Sequence, residues 1–164
     1  MSMIGNLLRV SAAELQTYRA DSAQLENRLY QDTGRDSALV DIEKTWDGII
    51  FLLTGQALAD TTHPLARVLF SGQLIDEAQD LGYGPAHYLT PAEVAALQPQ
   101  LAAVTVADLK QRFDPARMTA LGIYPNIWEE GDDAFDYVAE GFATLQQLYA
   151  EAAARGQGMI TFIS

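Results

Sequence analysis

The side chains best suited to chemistry sit in Gly82-Tyr83-Gly84-Pro85-Ala86-His87-Tyr88, where Tyr83, His87 and Tyr88 can donate hydrogen bonds or stack. Segments of this kind, held on a rigid scaffold, commonly carry binding residues. The G-x-G opening is not a dinucleotide fingerprint. That pattern needs G-x-G-x-x-G between a strand and a helix, and position 87 is His. The glycines read first as turn residues that accept a positive φ. The other histidine, His63, precedes Pro64 in a polar stretch. Neither His has H-E-x-x-H or H-x-H spacing, and a metal centre would also need carboxylate partners. A solvated His63 and a hydrogen-bonded His87 are the ordinary reading. The expectation is no metal and no cofactor.

No nucleophile stands out. The chain has no Cys and no G-x-S-x-G elbow, and Phe70-Ser71-Gly72 matches only the second half of that pattern. Carboxylates gather at Glu129, Glu130, Asp132, Asp133 and Asp136, with Glu140 one helical turn beyond. Such oxygens suit Ca²⁺ or Mg²⁺, yet the spacing of a calcium loop is missing. They equally suit a helix N-terminus, where negative charge is favoured, followed by a solvated face. A glycosidase pair would need a set carboxylate separation that sequence spacing does not fix. Exposed Trp and Tyr dominate binding hot spots, whereas buried ones fill cores with their polar edge bonded. Trp46 lies on an apolar stripe and reads as core. Trp128, followed by Glu129 and Glu130, reads as partly exposed.

These residues must be positioned by a chain of 164 residues with 22 Asp+Glu against 10 Lys+Arg, a net charge of −12, 49% hydrophobic and 20% charged residues. The length suits one domain, 1–164, which can bury most of its surface without a disulfide or metal staple. The hydrophobic fraction is too high for a disordered acidic tail. The acidity argues against nucleic-acid backbone binding, which needs clustered Lys and Arg. The opening Met1-Ser2-Met3-Ile4-Gly5 lacks the basic and apolar regions of a signal peptide. The longest apolar run, Ile49 to Leu53, has five residues, whereas a membrane span needs about 20. The expectation is a cytoplasmic protein with no membrane and no nucleic acid among its partners.

Met3 to Val10 reads as a strand. Ser11-Ala12-Ala13-Glu14 reads as a capping box, opening a helix that buries Leu15 and Tyr18. Asp21 with Gln24 signals a second start, with Leu25 and Leu29 on one face and Gly34 at its end. Asp41 is expected to cap the next helix, whose stripe is Trp46, Ile49, Ile50 and Leu53, with Gly55 as its left-handed C-cap. Val68-Leu69-Phe70 fits either a short strand or a helical turn, and Leu81 to Tyr88 reads as a loop. Thr90-Pro91-Ala92-Glu93 combines an N-cap, a proline at the first helical position and a capping glutamate, ahead of Val94, Leu97 and Leu101. Thr105 and Asp114-Pro115 mark two further starts, and Ile123 to Glu130 reads as irregular. Phe135, Val138, Phe142, Leu145, Tyr149 and Ala152 step by 3, 4, 3, 4 and 3, predicting a long helix stopped at Gly156 or Gly158. Met159 to Ile163 is a second strand. The fold expected is α+β: a single helix-rich domain with a small sheet that includes the N- and C-terminal strands.

Three segments together resemble one family: Lys44-Thr45-Trp46-Asp47-Gly48-Ile49 running to Leu52-Leu53-Thr54-Gly55, then Gly82-Tyr83-Gly84-Pro85-Ala86-His87-Tyr88-Leu89-Thr90-Pro91, then Ile123-Tyr124-Pro125-Asn126-Ile127-Trp128. With Met3-Ile4-Gly5-Asn6 and the closing strand, the chain resembles the YfbM-like family of bacterial proteins of unknown function along nearly its whole length. The resemblance implies a compact α+β domain and no particular activity.

Beside a structural or assembly role through a homo-oligomeric face, which a large apolar surface patch would mark, two roles are weighed. One is a non-catalytic binding protein, since no catalytic motif is recognisable and strong acidity suits a basic protein partner through charge complementarity. The other is a small-molecule-binding protein or enzyme with a pocket at the Gly82–Tyr88 loop and the Tyr124–Trp128 segment. The binding residues named for either are Tyr83, His87, Tyr88, Tyr124 and Trp128. If the three segments converge in space, these residues line one cleft.

Overall fold

A computed structural model describes residues 2–31 and 36–164. Its centre is a four-stranded antiparallel sheet in the order β2-β1-β4-β3. The strands are β1 (Gly5–Val10), β2 (Leu39–Asp41), β3 (His87–Leu89) and β4 (Gly158–Ile163). β1 and β4 pair along their full length, from Gly5 opposite Ile163 to Val10 opposite Gly158. Ile4 and Ser164 then exchange backbone bonds of 2.8 and 2.9 Å just outside the strands. Both central strands are largely buried because both faces of the sheet are covered, including Arg9 of β1 and Thr161 of β4.

Alternation along the strands divides the core in two. Leu7, Leu89 and Met159 face α3 (Trp46–Thr54), α4 (Pro91–Ala102) and α7 (Asp132–Ala154). Leu8, Val10, Tyr88, Ile160 and Phe162 face α1 (Ala12–Ala20) and α2 (Ser22–Gln31). The short helices α5 (Val106–Arg112) and α6 (Pro115–Ala120) continue the first layer through Leu109 and Met118. All six apolar positions of the long stripe on α7 are buried. Among the described residues, no helix is long and apolar enough to cross a membrane.

Helix ends follow the local chemistry. Ser11 with Glu14, Thr90 with Glu93 and Thr105 with Asp108 form reciprocal capping boxes, each satisfying two otherwise unpaired backbone donors. Gly55 closes α3 at φ 75°, and Gly156, at φ 65°, follows α7. Gly158 already belongs to β4.

Two expectations are corrected and one open alternative is decided. Asp41 ends β2, and its carboxylate accepts the Glu43 N–H at 3.2 Å; a 3₁₀ turn, Glu43–Thr45, intervenes before α3 begins at Trp46. At Val68 the helical turn is the alternative formed: it is the last residue of a 3₁₀ turn, Pro64–Val68, opened by His63, whose Nδ1 accepts the Leu65 N–H at 3.1 Å. His87 and Tyr88 leave the glycine loop and form β3, because β4 offers them a paired edge. The expected end at Gly34 lies outside the described residues.

Candidate functional site

The three sequence segments meet through a string of rings. Trp46, first residue of α3, stacks on Tyr124 at 5.7 Å and meets Phe70 edge-on at 5.8 Å, and Phe70 meets His87 edge-on at 5.6 Å. Such offset and edge-on pairs are the favoured aromatic geometries. Residue Met3 ties the string to the sheet: its carbonyl accepts the Trp46 Nε1–H at 2.9 Å and its N–H donates to Tyr124 Oη at 3.0 Å. Asp47, the next residue on α3, accepts the Tyr124 N–H at 2.9 Å. Burial raises the Asp47 carboxyl above the usual range, and that single backbone bond only partly offsets it.

His87 is fixed on the same side of the sheet. Its Nδ1 accepts the Gly72 N–H at 3.0 Å, which leaves the ring proton on Nε2 in the neutral form. Burial lowers its pKa. The segment after Phe70 is bound to β3 more widely: Ile75 N–H donates to Ala86 O, Tyr88 N–H to Gln73 O, and Ser71 Oγ to Tyr88 O. Tyr83 stands at the tip of the glycine loop, 44% exposed, with its N–H on Ile163 O. The loop glycines carry φ of 132° and 99° at 82 and 84. At Gly82 a side chain would also meet the Ser164 backbone at 3.0 Å.

Three of the five residues named from sequence stand apart from this string: Tyr83 at the loop tip, Tyr88 and Trp128. Tyr88 neighbours His87 on β3 and therefore points to the opposite face of the sheet, where its ring lies under the Arg19 guanidinium at 4.6 Å. Trp128 was expected to be partly exposed and is completely buried. Its Nε1–H donates to Ile123 O at 2.8 Å and its ring packs against Gly48 and Val138. The acidic neighbours misled, because Glu129 and Glu130 point outward while a 3₁₀ turn, Trp128–Glu130, turns the indole in. The segments therefore converge as packed rings rather than as the walls of a cleft.

The acidic cluster divides. Asp132 pairs with Lys110 at 2.7 Å and Asp133 shares the first turn of α7. Further along, two shallow hollows meet at Tyr137. One, about 500 Å³, is lined by Lys44, Pro125, Ile127, Glu130, Asp133 and Tyr137. The other, about 150 Å³, includes Asp41, Glu43, Tyr137 and Glu140. Tyr137 Oη accepts the Lys44 N–H and donates to Glu43, both at 3.1 Å. Burial, with the Glu43 carboxylate adding to it, raises the phenol pKa. Among the described residues, no three His, Asp or Glu side chains form a metal cage.

A family model described as a domain of unknown function, DUF1877, matches residues 1–162. The chain belongs to DUF1877. A solved structure, described as a protein of unknown function, YfbM from Escherichia coli, is similar to this DUF1877 chain with a TM-score of 0.76 and 22% identity. The match covers 98% of this chain and 99% of that one. At that identity the likeness speaks for the fold. A comparison with curated proteins finds no match.

Sequence reasoning passed over Asp47, Tyr137 and Arg19. Asp47 lies within the Thr45-Trp46-Asp47-Gly48 run already singled out, and its place beside the apolar Trp46 stripe was the available signal. Tyr137 lies four residues after Asp133 and three before Glu140, which puts all three on one helix face.

Proposed function

We propose that this DUF1877 chain is a binding protein rather than a catalyst, and that it meets a basic protein partner. The observation that carries the reading is the composition of the two hollows that share Tyr137. Five exposed carboxylates, Asp41, Glu43, Glu130, Asp133 and Glu140, line them with Lys44 as the cation among the lining residues. Pro125 and Ile127, both half-buried, supply apolar contact between the charges. A surface of this kind attracts Lys- and Arg-bearing segments and offers them apolar stems to lie on.

The test uses an arginine-rich peptide and a neutral peptide of equal length as probes, titrated at two salt concentrations. The double variant Asp133→Lys/Glu140→Lys is compared with Asp60→Lys/Glu77→Lys, which changes net charge equally on other exposed positions. Salt-sensitive binding lost only in the first variant supports the reading. Equal loss in both reduces the effect to bulk charge and removes the proposed face.

A further inference from the structure

We infer that a third hollow, on the opposite side of the sheet, is a binding site for a small monocarboxylate with an apolar body. It measures about 590 Å³, within the range of small-molecule sites, about 300–1,000 Å³. Leu15, Arg19 and Ala20 of α1 form one wall, and Leu74, Ile75 and Pro91 form the other.

Arg19 decides the ligand class. The chain carries more than twice as many acids as bases, and Arg9, Arg28, Arg67 and Lys110 each pair with a carboxylate. Arg19 makes no such pair among the described residues. Its guanidinium lies instead over the Tyr88 ring at 4.6 Å. That contact holds the cation in place. Its N–H groups make no hydrogen bond among the described residues, and a guanidinium can grip a carboxylate with two parallel bonds. The capping carboxylates of the flanking helices do not compete for it: Glu14 is held by Arg28 at 2.7 Å, and Glu93 by Arg67 and Gln73. An anionic head on Arg19 would leave the ligand body against the half-buried Leu74 and Pro91, over the buried Leu15 and Ile75.

Amide NMR of the full chain tests this with octanoate and 3-phenylpropionate as probes, and with octylamine and octanol as controls of similar apolar length. Both acids should shift the amides of Arg19, Leu74 and Ile75 with a Kd on the order of 1 mM or tighter, the scale open to about ten heavy atoms. Arg19→Gln, an exposed helix position, should weaken octanoate at least tenfold. Ala20→Phe should block the hollow without touching the cation. No localised shifts with either acid at about 10 mM, octylamine binding as well as octanoate, or wild-type affinity in both variants would each overturn the assignment.

Discussion

Thr45 and Gly141 touch with no space between them. A Cβ built on Gly141, in the middle of α7, would lie 2.8 Å from Thr45 Cβ and 2.9 Å from its Cγ2. Thr45 cannot swing away freely, since it is buried and its hydroxyl donates to Ile42 O at 2.5 Å. This contact brings the turn before α3 onto α7 and sets where Trp46 starts.

Gly141→Ala should therefore destabilise the protein although it sits in a helix interior. Alanine would ordinarily gain about 1 kcal/mol there, and overpacking costs about 1–3 kcal/mol. The expected net loss is about 1 kcal/mol, read from urea midpoints, with part of it recovered in the Gly141→Ala/Thr45→Ala double variant. A stabilised single variant would show that the contact yields.

Trp128→Phe removes the indole donor to Ile123 O and leaves space beside Gly48. The loss should be about 2 kcal/mol or more, combining an unsatisfied buried carbonyl with a cavity. Denaturant unfolding reads it, and a change under 0.5 kcal/mol, the range of ordinary surface substitutions, would return Trp128 to the list of contact residues.

Acid should weaken the fold through His87. Its folded pKa lies below the ordinary 6.5, so its contribution is complete above that value and is lost as pH falls through the folded pKa. Protonated Nδ1 can no longer accept the Gly72 N–H. His87→Asn should flatten the stability profile below about pH 6.5 relative to wild type. Parallel profiles would mean that the imidazole is not the group responsible.

Glu93 governs a lower pH window. Burial would raise its pKa, but bonds from Gln73, the Thr90 N–H and Arg67 overcome this and bring it to about 2. Its contribution is present above the unfolded value of 4.5 and is lost as pH falls towards 2. Glu93→Gln should cost about 1–2 kcal/mol at neutral pH, the scale of charge-assisted bonds, and remove that part of the acid limb. Thermal melts from pH 2 to 7 would show it, and an unchanged limb below pH 4.5 would refute it.

Helix starts were legible in the sequence because capping is local: Ser11, Thr90, Thr105 and Asp114 each announce themselves within four residues. The long stripe on α7 and the two terminal strands were legible for a similar reason, since period and composition agree along their length. β2 and β3 were not, because three-residue strands such as His87–Leu89 exist only where a partner strand gives them an edge. The candidate surfaces were partly legible. The ring string joined segments that sequence had set side by side, but which way each ring turns depends on long-range contacts, such as Trp128 on Gly48. The hollow beside Arg19 was invisible, since its walls come from segments more than fifty residues apart.

The placement of β4 between β1 and β3 also bears on how the protein is made. β4 is translated after every other strand of the sheet, yet it supplies the partner of β1 and of β3. On the ribosome, β1 waits with one edge unmatched while the helices between assemble around an unfinished centre. Sheet completion is therefore a late, long-range event, and the nascent chain depends on whatever shields that edge until β4 emerges.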